Sequence, residues 1–176
     1  MEPLSRRLPS STGAGAPLRW QRPDPSIHAA RAMTPSEDIQ MVGLKTRYPH
    51  ATTFRFGDSA SLSASLIALV RTGRKTATCG ALHDFTNEGD ELPVAGRTDI
   101  VLNWDHTPAL VVRTVAVEMK RFCDVEEAFA LQEGENDSLA DWQASHQAFF
   151  ERNGGFDDEM VLVCERFELV EDLEDS

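Results

Sequence analysis

Apolar residues keep a helical rhythm in two stretches of this chain and alternate along others. Over Ser59–Thr72, Leu62, Leu66, Leu69 and Val70 fall at i, i+4, i+7 and i+8, one face of a helix. Asp58, Ser59 and Ser61 offer N-caps, and Gly73 stands where a left-handed C-terminal cap is wanted. Over Ser138–Arg152, Leu139, Trp142, His146, Phe149 and Phe150 form a second stripe, ended by Gly154-Gly155. Two weaker patterns predict a helix over Ser36–Tyr48, N-capped by Ser36, and a short one over Asp124–Leu131.

Period-two patterns predict the strands. Thr52–Phe56 is short and stopped by Gly57-Asp58. Asp99–Asn103 leads through a hairpin-like connection, Trp104–Pro108, into a long strand over Ala109–Lys120. There Val111, Val115, Val117 and Met119 share a face with Arg113, which therefore reaches the rim or marks a bulge. Met160–Val170 is the last strand, with Val161, Val163, Phe167 and Leu169 on one face, and Glu171–Ser176 is expected to fray. Gly80–Glu88 reads as a short helix or loop, followed by a turn at Asn87–Asp90. Strands grouped in the middle and at the end, with helices crossing between, argue an α+β fold around a small, mostly antiparallel, barrel-like sheet.

Composition changes the picture at the N-terminus. Residues 1–32 hold five basic and two acidic residues and are rich in Pro, Ser, Gly and Ala, with no lasting apolar period. That segment is expected to be a disordered tail, with Met33 an alternative start, and 33–176 a single domain. The chain of 176 residues is 41% hydrophobic, enough for one core. It carries no apolar run long enough to span a bilayer. Its net charge of −12 argues against non-specific coating of DNA or RNA, which is bound by neutralising phosphates. One nucleotide or a short single strand in a local basic pocket fits that charge. Cys79, Cys123 and Cys164 form no CxxC pair, and the five histidines lack metal-ligand spacing. No disulfide framework, metal or cofactor is expected, and a reducing cytoplasm suits such a chain.

The chemistry concentrates in Gly73-Arg74-Lys75-Thr76-Ala77-Thr78-Cys79-Gly80. Lys75 is either an anion- or carboxylate-binding cation or, with a lowered pKa, a base for the Thr78 hydroxyl. Extended backbone would send Lys75 and Thr78 to opposite sides, so the pair needs a turn near Gly73–Lys75. Glu135, between Glu133 and Asp137, is a crowded carboxylate suited to acid–base work, or one acid of a solvated loop. Cys79 is a buried thiol or a nucleophile beside Lys75. His146 and Trp142 are core residues of the helix stripe, or else a site histidine and a stacking platform. Arg55, Arg71 and Arg74 would make a local positive patch if they gather near Lys75, and are otherwise ordinary surface ion pairs.

Several blocks in order resemble the ASCH (activating signal cointegrator homology) domain family. They are Phe56-Gly57-Asp58-Ser59, Gly73–Cys79, Glu133–Leu139, Trp142 with His146 and Phe149-Phe150, and Val163–Phe167. The resemblance covers roughly Phe54 to Val170 and implies a PUA-like β-barrel. It implies an RNA-binding or RNA-processing module. One bacterial branch hydrolyses the amide of N4-acetylcytidine with a Lys, a Thr and a Glu, which match Lys75, Thr78 and Glu135. Another branch is similar to a metal-dependent ribonuclease. Arg97 stands where the family has Asp, Cys79 replaces another residue, and an N-terminal helix is added. The resemblance thus implies a modified nucleoside or short single-stranded RNA as partner, with Arg55, Arg74, Cys79, Trp142 and His146 around the catalytic three.

Overall fold

The computed structural model describes residues 35–88 and 91–174. The expected tail over 1–32 lies outside them, as do Gly89-Asp90 of the expected turn. The elements run α1 (Pro35–Arg47), β1 (Thr53–Phe54), α2 (Ala60–Arg71), β2 (Ala77–Ala81), α3 (Leu82–Glu88), β3 (Thr98–Leu102), β4 (Pro108–Arg121), α4 (Glu127–Gln132), α5 (Leu139–Asn153) and β5 (Val161–Asp172). The two strong helical rhythms mark α2 and α5. Ser59 caps α2 through the Leu62 amide, and Ser138 caps α5 through the Asp141 amide. Ser36 lies within α1, which starts at Pro35.

The strands form one five-stranded sheet in the order β1-β3-β4-β5-β2. β1 runs parallel to β3, and the other pairs are antiparallel. The fold is α+β, but the sheet does not close into the expected barrel. Its edges are β1 and β2, and β1 has only two residues before Gly57 turns the chain into α2. Closure would need an unbroken hydrogen-bonded ring, and so short an edge cannot complete one.

Both faces of the sheet are covered. Val101 and Val163 point to a core with Leu66, Ile67 and Val70 of α2 and Phe85 of α3. Their neighbours Ile100 and Leu102 pack against Leu44 of α1. Leu162 and Cys164 pack against Phe129 of α4 and Trp142, Phe149 and Phe150 of α5. Strand alternation therefore puts α2 on one face and both α1 and α4–α5 on the other. The motif strand β2, buried at every position, lies between these layers.

Two expectations about the strands change. Thr114 pairs with Phe167 and Ala116 with Arg166, so Val115 is an extra residue bulged out of β4. The bulge breaks the expected shared face: Val111 is buried, whereas Val115 and Met119 are exposed. Arg113 is exposed and pairs with Glu168. The C-terminal acids do not fray through Glu174. β5 runs to Asp172, which accepts from Arg71, and Leu173 is buried against Leu44 and Ile100. Truncating that side chain, Leu173→Ala, is expected to lower stability by about 2–3 kcal/mol in urea unfolding, within the range for buried leucines.

Candidate functional site

Lys75 reaches the interior because α2 stops sharply. Gly73 adopts φ +72°, and its amide donates to the Val70 carbonyl at 2.9 Å. The Arg74 and Lys75 amides both donate to the Leu69 carbonyl, at 2.9 and 3.0 Å. The first two bonds make a Schellman cap, which reverses the chain within one residue. The Thr76 amide then donates to the Gln132 carbonyl at 2.8 Å, and β2 begins. The chain does bend near Gly73–Lys75, but the bend turns Lys75 toward the loop after α4 rather than toward Thr78.

The opposing loop is built around Gly134, at φ +74°. A Cβ there would stand 2.5 Å from the Arg74 carbonyl oxygen and 3.0 Å from the Lys75 nitrogen. Only glycine permits that approach. The two backbones are thus in contact, and the residues flanking Gly134 both reach the lysine. Lys75 Nζ donates to Glu135 Oε1 at 2.7 Å, to Glu133 Oε2 at 3.2 Å and to the Glu133 carbonyl at 3.4 Å. The Phe56 ring lies 5.6 Å from the same ammonium. Side-chain exposure is 1% for Lys75, 2% for Glu133 and 19% for Glu135, so solvent meets this cluster at Glu135.

The electrostatics follow from this packing. Burial pushes the Lys75 pKa down, but Glu135 and then Glu133 outweigh it, and the net shift is upward. Burial likewise opposes the Glu133 charge, yet Lys75 and His146 bring its pKa down to about 2. Lys75 is therefore an ammonium in the resting protein, clamped by a carboxylate that stays ionised. Behind Glu133 stands His146, with Nε2 3.5 Å from Glu133 Oε2. Its Nδ1 lies 3.0 Å from the Trp142 carbonyl, and its ring stacks on the Trp142 indole at 4.1 Å. Cys79 completes this inner group, and burial followed by the Glu133 charge raises its thiol pKa well above the usual range.

The structure brings Lys75, Glu135, Cys79 and His146 together, with Glu133 at their centre. Trp142 backs the group as a fully buried core side chain. Thr78 takes the other face of β2. It opposes Glu165 of β5, whereas Cys79 opposes Cys164. Thr78 is buried, and Lys75 Nζ donates to the two glutamates rather than to it. It nonetheless shares its face with Val163 and Phe167, the core that includes Phe56 under the lysine.

The arginines do not gather. Arg55 is buried, with its guanidinium 4.5 Å from the Trp104 ring centre. Arg74 is exposed, and Arg71 pairs with Asp172 and Glu174.

Glu133 is the residue of the cluster that sequence reasoning passed over, and Glu165 is a second buried carboxylate, opposite Thr78. Glu133 closes α4 as its C-cap, an unfavourable place for an anion unless a cation stands opposite. Glu165 lies fully buried on an apolar strand face, where Thr114 Oγ1 donates to it at 2.5 Å. Both anomalies are visible in the sequence once the helix end and the strand alternation are placed.

A model of the ASCH domain matches residues 52–171, from β1 to β5. The chain belongs to the ASCH domain family. This ASCH domain is similar to the crystal structure of protein EF3133 from Enterococcus faecalis V583, at 31% identity and a TM-score of 0.69. That similarity covers 81% of this chain and 93% of the other. It is also similar to an ASCH domain from Lactobacillus crispatus JV V101, at 26% identity and a TM-score of 0.67, covering 79% and 96%. A comparison with curated proteins gives no match. In the domain described here α1 lies wholly before the matched segment and covers the outer end of the sheet.

Two outcomes test the electrostatics of this domain. Glu133 has a depressed pKa, so its contribution is complete above the ordinary glutamate range and fades as pH falls toward about 2. Unfolding free energy measured in urea should fall by roughly 3 kcal/mol over that acid range from this group. Lys75→Met should cost about 3–5 kcal/mol at pH 7, because it strands buried carboxylate charge. The cost should shrink at pH 4, where protonation relieves that charge.

Proposed function

We propose that this ASCH domain binds a modified pyrimidine nucleoside, or one nucleotide of RNA, at the Lys75–Glu135 pair and hydrolyses its N-acyl amide. The observation that carries this reading is the 2.7 Å contact between a buried ammonium and a partly exposed carboxylate. At that distance the pair can exchange a proton. Closing over a ligand removes water from Glu135, weakens the case for two charges and favours the neutral amine with the neutral acid. One transfer thus gives a base and an acid together, the two functions that amide cleavage needs.

In this reading Lys75, relieved of its proton, takes the proton of the Thr78 hydroxyl as Thr78 Oγ1 attacks the acyl carbon. The tetrahedral intermediate collapses, the C–N bond breaks and Glu135 gives its proton to the leaving exocyclic amine. Water then cleaves the acyl-threonine ester and releases the acid. The attack requires Thr78 and Lys75 to meet around the Phe56 side of β2. Trp104, backed by the buried Arg55 guanidinium, supplies a flat surface for a base or ribose, while Arg74, at the exposed turn, meets phosphate.

The Arg55–Trp104 pair also supports a second reading, a non-catalytic RNA-binding module. Trp104 keeps 37% of its surface exposed, as a stacking platform for a single strand would. The net charge of −12 favours the small ligand over the strand.

A panel of N-acylated nucleosides, assayed beside a single-stranded RNA, separates these readings. Acid release from at least one nucleoside is expected, with loss of about 100-fold or more in turnover for Lys75→Ala and Glu135→Gln. Thr78→Ala should abolish the acyl-enzyme, and Thr78→Ser should retain it. Absence of turnover together with salt-sensitive RNA retention would replace the first reading with the second.

A further inference from the structure

Sequence spacing gave no reason to expect a metal, yet three separate elements bring ligands to one buried point. Cys79 comes from β2, Glu133 from the end of α4 and His146 from α5. One ligand atom from each lies within 4.8 Å of the other two, and all three residues are buried. Zinc-type sites hold ligands about 2.0–2.3 Å from the ion, which places them about 3.3–3.7 Å apart in a tetrahedron. Small side-chain rotations bridge the difference.

The hydrogen bonding of His146 points the same way. Its Nδ1 faces the Trp142 carbonyl at 3.0 Å, and a carbonyl can only accept, so Nδ1 carries the proton. A ring oriented by Nδ1–H to a backbone carbonyl is the usual arrangement of a metal-bound histidine. With Nδ1 turned to that carbonyl, Nε2 is the ring atom that faces Glu133 Oε2, 3.5 Å away. Neither Nε2 nor Glu133 Oε1 has a hydrogen-bond partner. Both are buried polar atoms open to a further partner. A proton on Nε2 would serve the histidine–glutamate pair and leave the Cys79 sulfur out of it. A dication answers Nε2, Glu133 and the Cys79 sulfur at once. It also balances charge, because Cys79 thiolate and Glu133 offset the two positive charges while Lys75 stays paired with Glu135.

We propose that Cys79, Glu133 and His146 form a binding site for a borderline-soft divalent cation of the zinc type. The site leaves a fourth position for water. Loading releases the thiol proton, because thiolate is the ligand form. The ion ties β2 to α4 and α5 behind Lys75. The proposal does not rest on the reaction above: it stands on the placement of the three ligands, of which Glu133 also accepts from Lys75.

The test uses the full chain in a Cys123→Ser background with reductant present, because Cys123 is an exposed thiol. After chelation and dialysis against Zn2+, one ion per chain should be retained, with a higher unfolding temperature. Co2+ should give a thiolate-to-metal charge-transfer band in the near ultraviolet. Cys79→Ser should remove that band, and His146→Ala should weaken Zn2+ binding at least about 10-fold. No retained zinc, or a cobalt spectrum without the thiolate band, would overturn the site. Those two measurements need no variant at the site to fold. A thiolate band that persists in Cys79→Ser would also overturn it, by assigning the metal to another cysteine. Zinc binding without nucleoside turnover leaves this site standing and counts only against the proposed reaction.

Discussion

An ammonium cannot be taken out of water alone. Lys75 is almost wholly buried, and desolvating it costs several kcal/mol unless opposite charge is supplied at close range. Glu133 and Glu135 supply it from one loop, on either side of a glycine that lets that loop touch the lysine backbone. Much of the local structure serves this contact. The cap on α2 turns Lys75 inward, Gln132 fixes Thr76, and α5 backs Glu133 with His146 and Trp142. Glu133 holds that charge inside the resting protein, and Glu135 is the member of the cluster that water reaches.

The two faces of β2 divide the labour. One carries Cys79 into the aromatic core under α5. The other carries Thr78 beside Glu165, against the core under α2. Lys75 precedes the strand and leans on Phe56 from that second core, so it stands at the junction. Each face of β2 thus carries a buried polar side chain, Cys79 on one and Thr78 on the other, with Lys75 at the strand entrance.

Local signals were legible in the sequence. The Leu62–Val70 and Leu139–Phe150 stripes mark α2 and α5, and Gly73 caps its helix as its position implied. The motif blocks lead to the family. Long-range facts were not legible. The bulge at Val115 depends on how β4 meets β5, and no period in β4 alone encodes it. The open sheet follows from a two-residue β1 whose pairing depends on Gly57. Lys75 was recognised as the central residue, and Glu135 as its counterpart. The role of Glu133 was obscured because three neighbouring acids look alike until the turn at Gly134 gives each a direction. The convergence of Cys79, Glu133 and His146 was beyond spacing rules, which assume ligands close in sequence.

The strand order has a consequence for biosynthesis. Among the described residues β2 hydrogen-bonds only to β5, the last of the five strands in chain order. Residues 77–81 therefore wait for residues 162–166, and the lysine waits 58 residues for the first of its counterions. Until then a nascent chain carries α2 and an unpartnered strand edge, with Lys75 still hydrated. Pairing across such separations makes assembly slow relative to helix formation. The buried charge cluster and the sheet are thus completed late in the assembly of the domain, and a chain lacking β5 would be left exposed along the β2 edge.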